Sequence, residues 1–268
     1  MIHSFRLFGV TLYPFWICAA IGACILFFAV WRIAKKRGET RYIMPRLLAA
    51  AYFGALGALA YDTLFKYIET KEIVFGGISF YGGLIAGAAS MWLLLRRGGR
   101  SSLTPSDGGR SSLTPSIGGR SSLTPSEWMD ELTLPFLAFH FCGRIGCFLG
   151  GCCYGRPTES FLGVYFPDIP EENIFHHGEK LLPAQLFEAA AILVIALLLA
   201  TLLKKHRFMN YLILYPFCRF ALEFLRGDDR GATGTFLSPS QLMSLLIIII
   251  PAFYYFDISR KKHFERGD

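Results

Sequence analysis

Arg219, Glu223 and Arg226 stand at i, i+4 and i+7, a spacing that places two guanidiniums and a carboxylate on one face of a helix. They lie in an apolar stretch, as does Arg144. Ionisable groups within apolar segments are costly, so each is expected to serve a site. Three arginines set against Glu223, Glu188 and Asp62 can hold a planar or tetrahedral anion through forked hydrogen bonds. The alternative is an internal salt-bridge network that only fixes packing. The anion most available at membrane depth is a phospholipid phosphate. Tyr13, Tyr81 and Gln185 fall at the same ends of their own apolar segments, and they extend the polar cluster.

Residues 143–155 read GRIGCFLGGCCYG, with Gly143, Gly146, Gly150, Gly151 and Gly155 in thirteen positions. Each glycine weakens a helix by about 1 kcal/mol relative to alanine, so the run is expected to break, bend or be closely approached. Unwound backbone at membrane depth must line a cavity, where its N–H groups can bind an anion. Close helix packing through small residues is the competing reading. The segment FGGISFYGG at 75–83 repeats the pattern.

The elements that must position these groups are membrane spans. The 268 residues are 53% hydrophobic and 18% charged, against about 25% charge in an ordinary soluble domain. Residues 189–203 and 241–256 are nearly unbroken apolar runs. Spans are predicted at 8–30, 44–65, 78–95, 132–150, 184–203, 208–226 and 240–256, an all-α membrane protein. The first is read as a retained span, not a cleaved leader, because no small-residue cleavage site follows a short core. With the N-terminus outside, the inner loops and tail carry 18 Lys and Arg and the outer side seven. This split satisfies the positive-inside rule for seven spans with the C-terminus inside. It also explains the formal charge of +7 without nucleic acid as a partner. In this topology the polar groups named above all reach the outer leaflet, whereas a transporter would show charge through the full depth. His140 and Asp257 are the inner-half exceptions, and His140 is read as a buried, hydrogen-bonded residue.

The chain is read as one polytopic unit, 1–268, with two appendages. Residues 98–126 contain RSSLTPS three times, at 100–106, 110–116 and 120–126. This composition buries little, and it reads as a passive cytoplasmic linker. Residues 156–183 form an extracytoplasmic arm or cap, in which His176 and His177 are read as a hydrated loop pair. The seven cysteines are an odd set, mostly read as small packing residues rather than a disulfide framework. No zinc-ligand spacing stands out, and no metal or cofactor is expected.

GRIGCFLGGCCYGRPT at 143–158 resembles the signature of the prolipoprotein diacylglyceryl transferases. LYP at 12–14, SFYGGL at 79–84, PAQLFE at 183–188, RFALEFLR at 219–226 and LSPSQL at 237–242 match further family segments in the family order. The resemblance covers nearly the whole chain apart from the repeats. It implies a seven-helix enzyme of the bacterial plasma membrane with its site facing the outer leaflet. Such an enzyme moves a diacylglyceryl group from phosphatidylglycerol to the lipobox cysteine thiol of a preprolipoprotein, releasing glycerol phosphate. Its partners are then that lipid, the signal peptide bearing the cysteine, and the membrane.

The chemistry is displacement at carbon, which needs cations on the leaving phosphate and a base for the thiol. The resemblance implies that Arg144, Arg219, Glu223 and Tyr81 are catalytic. It places Tyr13, Gly143, Gly146, Gly151, Gly155, Gln185, Glu188 and Arg226 in substrate binding. The family pattern usually has His where Tyr81 stands, Asn at Cys147 and Gly150, and Glu at Cys152. A phenol with a pKa of about 10 is a poor base at neutral pH unless arginines depress it. Tyr81 then orients lipid and leaves Glu223 or another group as base. Two other readings stay open: a related lipid-headgroup transferase with a different acceptor, and a phospholipid-binding membrane protein without chemistry.

Overall fold

The computed structural model describes residues 5–7, 10–71, 79–98, 121–166, 168, 178–227 and 236–266. A hairpin of β1 (Phe5–Leu7) and β2 (Val10–Leu12) leads into α1 (Pro14–Arg37), followed by α2 (Thr40–Thr70), α3 (Phe80–Gly98) and α4 (Pro125–Leu149). Strands β3 (Val164–Tyr165) and β4 (Lys180–Leu181) precede α5 (Ala184–Thr201), α6 (Arg207–Glu223) and α7 (Pro239–Arg266). Among the described residues the chain is therefore predominantly helical, and the strands form two separate antiparallel pairs. Among the described residues five helices are long and apolar enough to cross a membrane: Pro14–Arg37, Thr40–Ile68, Pro125–Leu149, Ala184–Thr201 and Pro239–Arg260.

The predicted spans coincide with the helices, and their ends differ for local reasons. The first apolar segment, expected from residue 8, becomes helical only at Pro14 because Val10–Leu12 pairs with β1. Tyr13 then caps the helix, its carbonyl accepting from the N–H groups of Trp16 (3.0 Å) and Ile17 (3.4 Å), with proline at the first helical position where it costs no hydrogen bond. The sixth segment, expected to run to 226, ends at Glu223. Arg226 is thus not on the α6 face with Arg219 and Glu223. It lies beyond a turn and bridges to Gly155 as an extended residue.

The chain forms two compact units, residues 1–27 with 132–268, and residues 28–131. In the second, α2 and α3 pack through glycine. A Cβ on Gly54 would lie 3.3 Å from the Gly83 carbonyl oxygen, and Gly82 abuts Gly57 and Tyr61 too closely for any side chain. Such contact lets two backbones approach where larger residues would hold them apart.

The third RSSLTPS copy also belongs to this unit, and it departs from the expected passive linker. Thr124-Pro-Ser-Glu127 is a capping box for α4: Thr124 N–H donates to Glu127 Oε2 at 2.8 Å, and Glu127 N–H to Thr124 Oγ1 at 3.3 Å. Just before it, Glu39 Oε1 accepts from the Ser122 N–H and hydroxyl, each at 2.6 Å, and Oε2 accepts from Ser121 Oγ at 2.6 Å. The buried Trp128 indole donates to Ser121 Oγ at 2.7 Å. Glu39 is only 6% exposed. Burial pushes its carboxyl up, but the hydrogen bonds from Ser121 and Ser122 more than offset this and hold it below its usual value. The first two copies, and His176 and His177, lie outside the described residues.

In the first unit α1 packs on α4 through Gly146, whose Cβ would stand 3.0 Å from Cys18 Cβ and 3.2 Å from Phe15 Cα. The two ends of the 156–183 arm are sewn together: Thr158 N–H donates to Lys180 O (2.8 Å), Leu182 N–H to Arg156 O (3.1 Å) and Gly155 N–H to Leu182 O (2.7 Å). Arg156 N–H donates onward to Leu225 O at 2.9 Å, which ties the arm to the turn that carries Arg226.

Candidate active site

Helix α6 supplies one wall. Tyr215, Arg219 and Glu223 succeed one another at four-residue spacing, so they share a face. Arg219 is 2% exposed. Its Nη2 lies 2.7 Å from Glu223 Oε2 and donates to Ser240 Oγ at 3.2 Å, while its Nε is 3.8 Å from Glu188 Oε1. Arg219 Nη1 is buried with no hydrogen-bond partner among the described residues.

Glu188, 1% exposed on the first turns of α5, is the centre of the cluster. Its Oε1 accepts from Tyr215 Oη at 2.7 Å and pairs with Arg144 Nη2 of α4 at 3.0 Å. Beside it the ring of buried His140 stands edge-on to Tyr215, with centroids 4.7 Å apart, and its Nδ1 is 3.5 Å from Tyr211 Oη. The histidine is buried and hydrogen-bonded, as expected from the sequence.

Glu223 is held from the other side by the start of α7. Ser238-Pro-Ser-Gln241 is a second capping box, in which Ser238 N–H donates to Gln241 Oε1 at 3.0 Å and Gln241 N–H to Ser238 Oγ at 3.2 Å. The same Ser238 hydroxyl donates to Glu223 Oε1 at 2.8 Å, so the helix cap is also the clamp on the carboxylate. Arg226 Nε approaches Glu223 Oε2 to 4.0 Å from the turn.

Three guanidiniums thus meet two carboxylates, Glu188 and Glu223. Arg219 Nη1 beside them is an unused donor edge among the described residues. Asp62, grouped with these residues on sequence grounds, belongs to the second unit, where it pairs with Lys66 at 3.0 Å. Tyr81, also in that unit, is buried near the start of α3. Tyr13 is 41% exposed.

The glycine run divides by role. The run breaks and is closely approached, as expected: α4 stays helical through Gly143 and Gly146 to Leu149 and the chain turns at Gly150 and Gly151. A Cβ on Gly143 would meet nothing within 4 Å, whereas one on Gly155 would meet Leu182 Cβ and the Leu225 carbonyl at 2.7 Å. Gly146 and Gly155 therefore serve packing, and Gly143 faces open space. Gly151, at φ +72°, ends the helix in a Schellman motif: Cys152 N–H donates to Cys147 O at 3.2 Å, and Gly151 N–H to Phe148 O at 3.2 Å. Fully buried Gln185 holds this turn, its Nε2 donating to Cys152 O at 2.6 Å.

Sequence reasoning missed Tyr215, Ser238 and Ser240. Tyr215 was discoverable as the next residue on the Arg219–Glu223 face. The S-P-x-Q pattern announces a helix start, but nothing local says which carboxylate its serine will reach.

The model of the family described as prolipoprotein diacylglyceryl transferase matches residues 2–109 and 113–256. The chain is 32% identical to a phosphatidylglycerol–prolipoprotein diacylglyceryl transferase of Clostridium tetani over 94% of this chain and 95% of that one. It is 30% identical to a second such transferase of Clostridium perfringens, over 91% and 90%. A Finegoldia magna transferase of the same name is 26% identical over 99% and 98%.

Proposed function

The chain belongs to the prolipoprotein diacylglyceryl transferase family, and on that premise we propose that it transfers the diacylglyceryl group of phosphatidylglycerol to a prolipoprotein cysteine thiol. The observation that carries this reading is Arg219 Nη1, buried among paired charges and without a hydrogen-bond partner among the described residues. A phosphodiester brings one negative charge and acceptor oxygens that suit such an edge.

Arg144 and Arg219 hold the phosphate, and their hold strengthens as the bridging oxygen gains charge. The thiolate sulfur attacks the glycerol carbon that bears the phosphate; the S–C bond forms, the C–O bond breaks and glycerol phosphate leaves. Glu223 orients Arg219 and receives the thiol proton, while Glu188 keeps Arg144 and Arg219 in register. Gln185 and Gly151 shape the turn beside Arg144, Arg226 adds charge at the rim, and Gly143 leaves room for lipid. Tyr13 lies at the interface, and Tyr81 orients lipid.

The protein is a multi-pass bacterial membrane enzyme in this reading, with seven spans, N-terminus outside, C-terminus inside and the site in the outer leaflet. The distribution of Lys and Arg supports the orientation. Helices α3 and α6 supply the two further spans of this reading, beside the five that are long and apolar enough to cross a membrane. Reporter fusions after Lys205 should read cytoplasmic and fusions in residues 171–178 exported; the reverse pattern removes the outer-leaflet site.

The activity is tested by incubating purified protein with phosphatidylglycerol and a lipobox peptide. Mass spectrometry should find the diacylglyceryl thioether. Lipid consumed into another product, or lipid bound without reaction, overturns the assignment.

A further inference from the structure

Cys147, Cys152 and Cys153 have their sulfurs within 4.8 Å of one another. The Schellman turn explains how. That motif brings the C″ side chain back over C3, a contact ordinarily made by two apolar residues, and here C″ is Cys152 and C3 is Cys147. Cys152 Sγ sits 3.7 Å from the Cys147 carbonyl oxygen. Cys153 then takes φ +67°, a left-handed conformation that non-glycine residues seldom adopt, and this folds the third sulfur toward the other two. Gln185 locks the turn through the Cys152 carbonyl. A sequence scan for zinc spacing overlooks this set, because C-x4-C-C becomes a cluster only when a helix ends between its members.

Cys152 and Cys153 are partly accessible. Three sulfurs at this separation suit a d10 thiophilic ion, which binds cysteine at about 2.3 Å and keeps a fourth position open when the protein supplies three ligands. We infer that Cys147, Cys152 and Cys153 form a three-thiolate zinc site whose fourth position takes an incoming thiol. Binding releases the three thiol protons. A thiol entering the fourth position gives up its proton to Glu223, the base in the proposed reaction, and is held as a thiolate at neutral pH. Resting on the proposed transferase reading, that thiol is the acceptor cysteine, delivered beside Arg144 as a nucleophile in a chain that carries Tyr81 where a stronger base is usual.

The full-length protein, reduced and metal-free in detergent, is titrated with Cd²⁺ as an optical probe and with Zn²⁺. The expected results are a one-to-one complex with an ultraviolet thiolate-to-cadmium band and protection of Cys147, Cys152 and Cys153, but not Cys18 or Cys218, from alkylation by iodoacetamide. Cys152→Ser should weaken binding at least a hundredfold, and Cys218→Ser should leave it unchanged. A cysteine-containing lipobox peptide should intensify the cadmium band, and its serine counterpart should not. The alkylation map uses wild-type protein, so a variant that fails to fold does not decide the outcome. Equal alkylation of all cysteines with and without zinc, or a peptide thiol without effect on the band, overturns the proposal. A metal and peptide response in a protein that makes no thioether leaves the zinc site standing and rejects the transferase reading.

Discussion

Glu188 Oε1 lies 3.0 Å from Arg144 Nη2 and 3.8 Å from Arg219 Nε, so one carboxylate of α5 fixes arginines contributed by α4 and α6. Two like charges held side by side repel, and the buried Glu188 makes their proximity tolerable. With Glu223 on the far side of Arg219, the two arginines are balanced charge for charge, and Arg219 Nη1 stays buried with no hydrogen-bond partner among the described residues.

If Arg219 stabilises charge that develops on the leaving phosphate, Arg219→Lys should lose about 10²–10³ in turnover, the range for removing one oxyanion donor. Lysine keeps the charge but not the planar fork. Phospholipid binding, followed by co-purified lipid, should fall much less. Equal thioether formation by the variant and wild type would make Arg219 structural.

Ser238 and Thr124 occupy equivalent positions in the capping boxes of α7 and α4, and only Ser238 also donates to Glu223. Replacing either by alanine should cost about 1 kcal/mol of stability, visible as a lower thermal midpoint. Ser238→Ala should in addition slow turnover roughly tenfold, the scale of one hydrogen bond to a charged group. Matched activities of the two variants would separate the cap from the chemistry.

Gly143→Ala adds a methyl that meets no atom within 4 Å. It should leave folding intact, or improve it by up to about 1 kcal/mol because alanine favours helix. Turnover should nonetheless fall as the methyl takes space meant for lipid. Gly155→Ala places its Cβ 2.7 Å from the Leu225 carbonyl and should destabilise by about 1–3 kcal/mol. Unchanged turnover in Gly143→Ala would remove that glycine from the binding site.

Glu39 makes the stability of the α1–α2 corner depend on pH. Its folded pKa lies below the ordinary 4.5, so its contribution is complete above that value and is lost as pH falls through the lower folded one. Thermal midpoints of wild type should therefore drop on acidification below about pH 4.5 more steeply than those of Glu39→Gln. Ser122→Ala, which deletes one of the donors, should shrink the difference. Parallel pH profiles would show that the carboxylate is not tied to the third repeat.

The membrane class, the number and order of the helices and the crowding of polar residues at one end of several of them could all be read from the sequence. These are consequences of apolar run length and of i, i+4 spacing, which act within a segment. The Arg219–Glu223 pair was legible for that reason, and the family signature marked Arg144. Tertiary structure decided which charges meet. Glu188 takes the central place because α4, α5 and α6 present one face each to the same point. Arg226 left the α6 face because Leu225 accepts from Arg156 of the arm and Gly227 donates to Tyr154 just before it. The third RSSLTPS copy has the same seven residues as the other two, and it is set apart by its C-terminal neighbours, Glu127 and Trp128. Those two residues close the cap and hold Ser121 against Glu39, through a contact between segments far apart in the chain.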